Sequence, residues 1–388
     1  MSDKEINTLI DELAQTDGLT RACQRAEEWA AAGKVSELLT FATALEERCD
    51  AKQVAVFESV TDHVEDQVAL SKGRDAVDAV LALSRGDRTK TVLIKRPRAM
   101  RLRAFASRLG YGQEVETFLE TLDRAGEKPE HEEILACWMH EVILRGNSLA
   151  GDARAQRFHE RLARSKHPLG TMPLELIALE AEVPSYMPLY GEKGLGGAIA
   201  ALERGPMSAK TVPPPADGAV AKATKVDDAK IVDRLATAVR PWSDASNGKI
   251  EAKVFTLEPA LQIGALGSWL LRMLPLESTA GQARLDVQRT QADVIFGALF
   301  SAASNGGAYS AGLGGAYGRR AAWTSLGALV GAPEDASVEK IDEAAARCAF
   351  LSFRAPGPWF HDVAWDLGAL CLREGGTSVA VLAATDKD

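Results

Sequence analysis

Asp293–Val330 reads DVIFGALFSAASNGGAYSAGLGGAYGRRAAWTSLGALV. Apolar residues at helical spacing enter it, glycines crowd its centre, and a second apolar helical pattern leaves it. GGAY occurs twice, at Gly306–Tyr309 and Gly314–Tyr317, eight residues apart. Two apolar helices joined by a glycine-rich turn place this region inside a packed, helix-rich domain.

Outward toward the C-terminus, a helix is expected over 338–353, followed by PGPWFHDVAWDLGALCLREGG, read as helical from about Trp359 to Leu370. TSVAVLAATDKD closes the chain as a β-branched strand. Toward the N-terminus, LGSWLLRMLPLE reads as a helix. SNGKIEAKVFTLE carries the Asn247-Gly248 turn signal and then alternates, so it reads as a strand. A helix is expected near Asp227–Val239. A strand at each end with helices between predicts an α+β domain over 229–388 with a small sheet. Ile250–Leu257 should pair with Thr377–Ala384, with Val379, Val381 and Ala383 on one face and both faces of that strand covered.

Residues 205–228, with Pro213, Pro214 and Pro215 followed by Ala, Lys and Asp, read as a surface linker. The proline-dense 168–204 reads as a crossover at the end of a helical domain spanning 1–204. Residues 3 to about 180 run helix after helix. Glycines such as Gly33, Gly73, Gly126 and Gly146 follow periodic segments, where C-terminal caps are expected. Short loops between helices predict stacked antiparallel hairpins, either a HEAT- or TPR-like array or an irregular bundle, since no fixed-period repeat is visible. The whole chain is therefore mainly α.

Composition narrows function. The chain of 388 residues has a net charge of −9, which argues against coating nucleic acid. Five cysteines, odd in number and scattered, read as reduced thiols in a cytoplasmic protein. The opening MSDKEINTLIDELAQ lacks a basic n-region and an apolar h-region, and no apolar run reaches a membrane-span length. One basic run stands out: Arg85, Arg88, Lys90, Lys95, Arg96, Arg98, Arg101, Arg103 and Arg108, opposed only by Asp87. It reads either as a docking surface for an acidic partner or as a solvated face balanced by acidic neighbours. Only Phe105 is there to stack on bases, so a nucleic-acid role ranks last. Glu133, Cys137 and His140 share a helix face, but no fourth ligand accompanies them, and no metal or other cofactor is assigned.

Two constellations could carry function. Gly312-x-Gly314-x-x-x-Gly318 lacks the preceding strand of a dinucleotide fingerprint and the lysine of a P-loop. Gly312, Gly314, Gly315 and Gly318 with Arg319 and Arg320 in the first helical turn could form a generic anion site. Close helix packing is the leading reading of these glycines, with an anion site or a partner-binding loop as the alternatives. The second constellation is Trp359–Asp366. On a helix, Asp362 and Asp366 fall at i, i+4, and two adjacent carboxylates need a metal, an acid/base task or an arginine. Any catalytic chemistry would rest on His361, Asp362 and Asp366 facing Arg319. GGAYSAGLGGAYGRRAAWTSLGAL and PWFHDVAWDLGALCLREGGTSVAVLAATD together resemble the paired signatures of an uncharacterised bacterial family, a domain of unknown function. That resemblance covers roughly the last 150 residues and implies no catalytic residue.

The leading expectation is an intracellular interaction or regulatory protein with a protein partner. The alternatives are a hydrolase- or transferase-type enzyme at the two constellations, and a nucleic-acid-associated protein using residues 85–108.

Overall fold

The computed structural model describes residues 3–93, 97–190, 222–282, 284–361, 363 and 365–387. They form two compact units. One holds the described residues up to Gly170 together with Tyr190. The other holds Thr171–Leu189 and the described residues from Lys222 onward.

The first unit is all helical. Its helices are α1 (Asp3–Asp11), α2 (Gly18–Ala31), α3 (Val35–Arg48), α4 (Val54–Leu70), α5 (Arg74–Leu83), α6 (Arg98–Gly112), α7 (Val115–Ala125), α8 (Glu132–Leu144) and α9 (Ala153–Arg164). Amphipathic faces meet as the apolar spacing requires. Leu38, Phe41 and Leu45 of α3 and Val60, Val64 and Val68 of α4 are buried, and α3 packs on α4. α8 is buried along its whole length from Ile134 to Leu144 and packs on α6. Gly110 lets that pair close up, because a Cβ there would stand 2.7 Å from Glu141 Cβ. Gly33, Gly73 and Gly146 take left-handed backbone conformations at turns, as the glycine punctuation predicts.

The second unit is a sheet between helices. In order it contains β1 (Lys222–Val226), α10 (Ala229–Ala236), α11 (Arg240–Asp244), β2 (Lys249–Glu258), α12 (Ser268–Met273), β3 (Asp286–Thr290), α13 (Ala292–Asn305), α14 (Gly314–Val330), α15 (Val338–Ala345), β4 (Ala349–Arg354), β5 (Asp366–Leu372) and β6 (Ser378–Thr385). The six strands lie in the order β1-β2-β6-β5-β4-β3, and every pairing is antiparallel. β2 and β6 pair from Lys249 opposite Thr385 to Thr256 opposite Ser378, as their sequences predict. One face packs Phe255, Val379, Val381, Ala383, Leu370 and Phe353 against Leu270, Leu271 and Leu274. The alternate residues Ala380, Leu382 and Ala384 are also fully buried, and α14 packs against β5 and β6.

The structure corrects four local expectations. The end of the expected helix, residues 366–370, lies instead in β5, at the centre of the sheet. A strand covered on both faces shows no alternation, so LGALCL reads equally well as a buried helix. Gly368 is the local tell: a Cβ there would meet the Phe353 carbonyl oxygen at 2.2 Å, so β4 and β5 need its absence. The helix expected over 338–353 stops at Ala345, and 349–354 becomes β4. Residues 222–226 fall in the expected linker but form the edge strand β1; its Lys-rich, largely exposed side chains mimic a solvated connection, while its backbone bonds β2. Residues 171–189, assigned from sequence to the helical domain, pack in the second unit. The remainder of the expected linker and crossover, residues 191–221, lies outside the described residues.

Leu370 is fully buried at the middle of this sheet. Leu370→Ala should cost about 2–5 kcal/mol in urea unfolding, whereas Thr256→Ala on exposed β2 surface should stay within about 0.5 kcal/mol. Equal midpoints for the two variants would contradict the assigned register.

Candidate functional site

The structure sends the glycine-rich turn and the Trp359–Asp366 motif to one end of the sheet, where they meet through the last residues of β6. α13 ends at Asn305, and Gly306 leaves it with φ +79°. The loop returns to α14 through Gly312 (φ +66°) and Gly314 (φ +71°). Glycine at these positions avoids the left-handed strain of any other residue. Gly312 is also hemmed in, since a Cβ there would lie 2.4 Å from the Ser304 carbonyl oxygen. Gly318, on α14, faces Ser304 of α13 at a separation that leaves no room for a Cβ (2.8 Å). Gly315 is buried. These glycines thus do the work expected of close helix packing.

The loop is tied down by side chains. Ala308 N–H donates to Asp386 Oδ2 at 2.7 Å, Gly307 N–H to Ser310 Oγ at 2.7 Å, and Tyr309 N–H to Ser246 Oγ at 3.2 Å. Asp386 is fully buried, and its own N–H donates to the Trp365 carbonyl at 3.1 Å. Asp366, one step away, is also buried. Its carboxylate accepts from Thr385 Oγ1 at 2.6 Å, Val363 N–H at 3.2 Å and His361 N–H at 3.4 Å. His361 therefore meets Asp366 through its backbone. The described residues between Ala355 and Trp365 form no helix, and Asp366 opens β5. Asp362 itself lies outside the described residues.

Arg319 goes elsewhere. α14 starts at Gly314, so Arg319 stands in the second turn, and the expected first-turn anion geometry is not formed. Its side chain is fully buried against Glu180, which is fully buried too. Nε donates to Glu180 Oε1 at 2.6 Å and Nη2 to Oε2 at 2.7 Å, a bidentate pair. Nη1 reaches the Pro173 carbonyl at 2.9 Å and Nη2 the Glu175 carbonyl at 2.7 Å. Trp323 Nε1, one turn on, donates to Glu180 Oε1 at 2.8 Å. Glu180 was not singled out in the sequence. Its signal is faint: one acid in a proline-rich, apolar stretch, with a second-half arginine in need of a partner. Arg320 is exposed. The expected approach of Arg319 to Asp366 across an open cleft is absent: the two groups are buried in separate bonding sets.

In the helical unit, three arginines of the basic run are matched by an acidic row on α4. Arg88 pairs with Asp62 at 2.5 Å, Arg101 with Glu65 at 2.6 Å, and Arg108 donates to Asp66 at 2.9 Å. Glu114 and Glu116, the neighbours expected to balance the run, do not supply these bonds; Glu116 pairs with Arg154. Lys95 and Arg96 lie outside the described residues. On α8, Glu133 Oε2 meets His167 Nε2 at 3.0 Å, Cys137 Sγ contacts Glu133 Oε1 at 3.6 Å, and His140 Nε2 contacts the Leu169 carbonyl at 3.2 Å. No group of three or more His, Cys, Asp or Glu among the described residues is arranged to hold a metal ion. No described helix is long and apolar enough to cross a membrane.

The bond from Ala308 to Asp386 gives a direct test. A Cβ at Gly307 would lie 1.9 Å from Asp386 Oδ2. Gly307→Ala should detach the loop, with the amides of Ala308 and Tyr309 exchanging about tenfold faster or more while those of β5 and β6 keep their protection. Unchanged exchange in the loop would show that Asp386 does not hold it.

No curated protein and no solved structure matches the chain. A family model described as "Family of unknown function (DUF6183)" matches residues 20–388, which extends the likeness through the helical unit as well as the C-terminal motifs. The chain thus belongs to this family of unknown function.

Proposed function

We propose that the chain is a cytoplasmic interaction or regulatory protein that docks a protein partner through the Gly306–Leu313 loop of its C-terminal unit. The observation that carries this reading is Tyr309. Its side chain is 63% exposed, yet its own N–H and those of Ala308 and Gly307 are fixed by Ser246, Asp386 and Ser310. An aromatic held on an ordered loop loses little freedom on binding, which is how interface anchors gain affinity. The enzyme reading has less support, because Arg319 is spent on Glu180 and the Asp366 carboxylate on Thr385 and two backbone amides. Nucleic-acid binding has less still, given that Arg88, Arg101 and Arg108 of the basic run face the carboxylates of α4.

Affinity capture from the parent cell with wild type, Tyr309→Ala and the exposed control Glu339→Ala tests the reading. Tyr309→Ala should melt like wild type, within about 0.5 kcal/mol of stability. A partner retained by wild type and the control should then bind the variant at least about tenfold more weakly, the loss of more than 1 kcal/mol typical of an anchor residue. Turnover of an ester, phosphate or glycoside reporter, abolished by Asp366→Asn in a folded variant, would overturn the proposal in favour of an enzyme.

A further inference from the structure

Two of the cysteines meet on the face of the sheet that α14 covers. Cys348 is the residue before β4, at the end of the turn from α15, and Cys371 lies in β5. β4 and β5 pair with Ala349 opposite Leu372, so one step further Cys348 stands opposite Arg373. Directly opposite residues of an antiparallel pair share a face, and Cys371, two residues from Arg373, shares it as well. The two side chains are diagonal neighbours close enough to interact, and Cys348 Sγ also donates to the Ala344 carbonyl at 3.2 Å. Cys348 is half-buried beside the exposed Ala346 and Arg347, whereas Cys371 is fully enclosed.

The surroundings differentiate the pair. Arg373 is a fixed cation: Nε donates to the Leu329 carbonyl at 3.0 Å and Nη2 to the Ala328 carbonyl at 2.8 Å, both in the last turn of α14, and Nη1 reaches Ser378 Oγ at 3.4 Å. The Glu374 backbone amide also favours the Cys348 thiolate; the Glu374 carboxylate, which opposes it, is paired with Arg347 Nε at 2.8 Å. The hydrogen bond from Cys371, then the Glu374 amide and the Arg373 charge, hold the Cys348 thiol below the ordinary cysteine range against the opposing effect of its burial. Burial pushes the Cys371 thiol well up, so it stays protonated. Cys137 is pushed up in the same way by burial, and Cys23 and Cys49 are raised by burial and by nearby carboxylates.

We propose that Cys348 is a hydroperoxide-reactive thiol and Cys371 its resolving partner, so that β4 and β5 carry a reversible dithiol–disulfide pair. In the first step the Cys348 thiolate attacks one oxygen of the hydroperoxide. The O–O bond breaks, the sulfur is oxidised to sulfenic acid, and the other oxygen leaves as hydroxide or alkoxide, which takes up a proton from water. In the second, the Cys371 sulfur attacks the sulfenic sulfur. An S–S bond forms, the S–O bond breaks, and the Cys371 proton leaves with the hydroxyl as water. An external dithiol reverses the cycle by exchange and is itself oxidised to its disulfide. Cys348 sits just outside the ladder, so the new bond needs movement at a turn and leaves the paired strands in place.

The test uses the reduced full-length chain and hydrogen peroxide. One equivalent should lower the intact mass by two hydrogens, yield a linked peptide pair containing Cys348 and Cys371, and be undone by dithiothreitol. In Cys371→Ala, Cys348 should stop at sulfenic acid and be trapped by dimedone; in Cys348→Ala, Cys371 should remain a thiol. A measurement on the wild-type chain guards against variants that fold poorly: at pH 7 iodoacetamide should alkylate Cys348 on the order of tenfold faster than Cys23 or Cys49. Alkylation of Cys348 no faster than those two would overturn the proposal. So would peroxide carrying Cys348 to sulfinic acid while Cys371 stays reduced, or giving only disulfides between chains.

Discussion

The buried pair of Arg319 and Glu180 ties a long, irregular stretch of the C-terminal unit to α14. Moving either charge out of water is costly, and the cost is met only by good geometry and full hydrogen bonding. Both are present: two parallel guanidinium–carboxylate bonds, two backbone carbonyls on the guanidinium, and Trp323 on the carboxylate. Glu180 also accepts from its own Ile177 N–H at 3.1 Å, which closes the short 3-10 turn that carries it. A proline-rich stretch with no long helix or strand of its own is thereby fixed onto α14. Tyr186, further along that stretch, fills the notch left by Gly297 on α13, where a Cβ would lie 2.7 Å from its ring. The ion pair and the notch together explain why Thr171–Leu189 packs with residues far away in sequence.

A second constraint follows from the first. α13 and α14 must lie close enough for Gly318 to touch Ser304, so the loop between them has to turn sharply through left-handed glycines. That loop is then latched by Asp386 at the end of β6, beside the Asp366–Thr385 bond. Arg319, Asp366 and Asp386 act as internal fasteners, while Tyr309 stands exposed on a held loop. The proposed docking role draws on this division between inward-facing charge and outward-facing Tyr309.

Much of this was legible in the residues. Alternation in SNGKIEAKVFTLE and the β-branched TSVAVLAAT define two strands that do pair, and glycine punctuation divides the helical unit at true turns. The glycines of the central stretch were readable as packing residues. What the residues concealed has physical causes. β5 is buried on both faces, so its apolar run carries no period of two, and only its neighbours decide between helix and strand. β1 and β3 are five residues each, largely polar, and held by backbone bonds that leave no side-chain signature. The partner of Arg319 lies 139 residues away in sequence, and no local pattern encodes a contact of that separation. The site expected at Arg319 and Asp366 failed for the same reason: each residue type was right for a charge cluster, but the topology gave each a different partner.

A double-mutant cycle on Arg319 and Glu180 tests the central claim most directly, read by equilibrium unfolding of Arg319→Ala, Glu180→Ala and the double variant. If the pair is a mutually dependent internal fastener, each single change strands a buried charge and costs about 3–5 kcal/mol. The double variant should then be little worse than either single, a coupling of about 3 kcal/mol or more, at or above the upper end of what residues in contact show. Additive losses, or an Arg319→Ala variant as stable as wild type, would contradict the account and return Arg319 to the list of residues available for function.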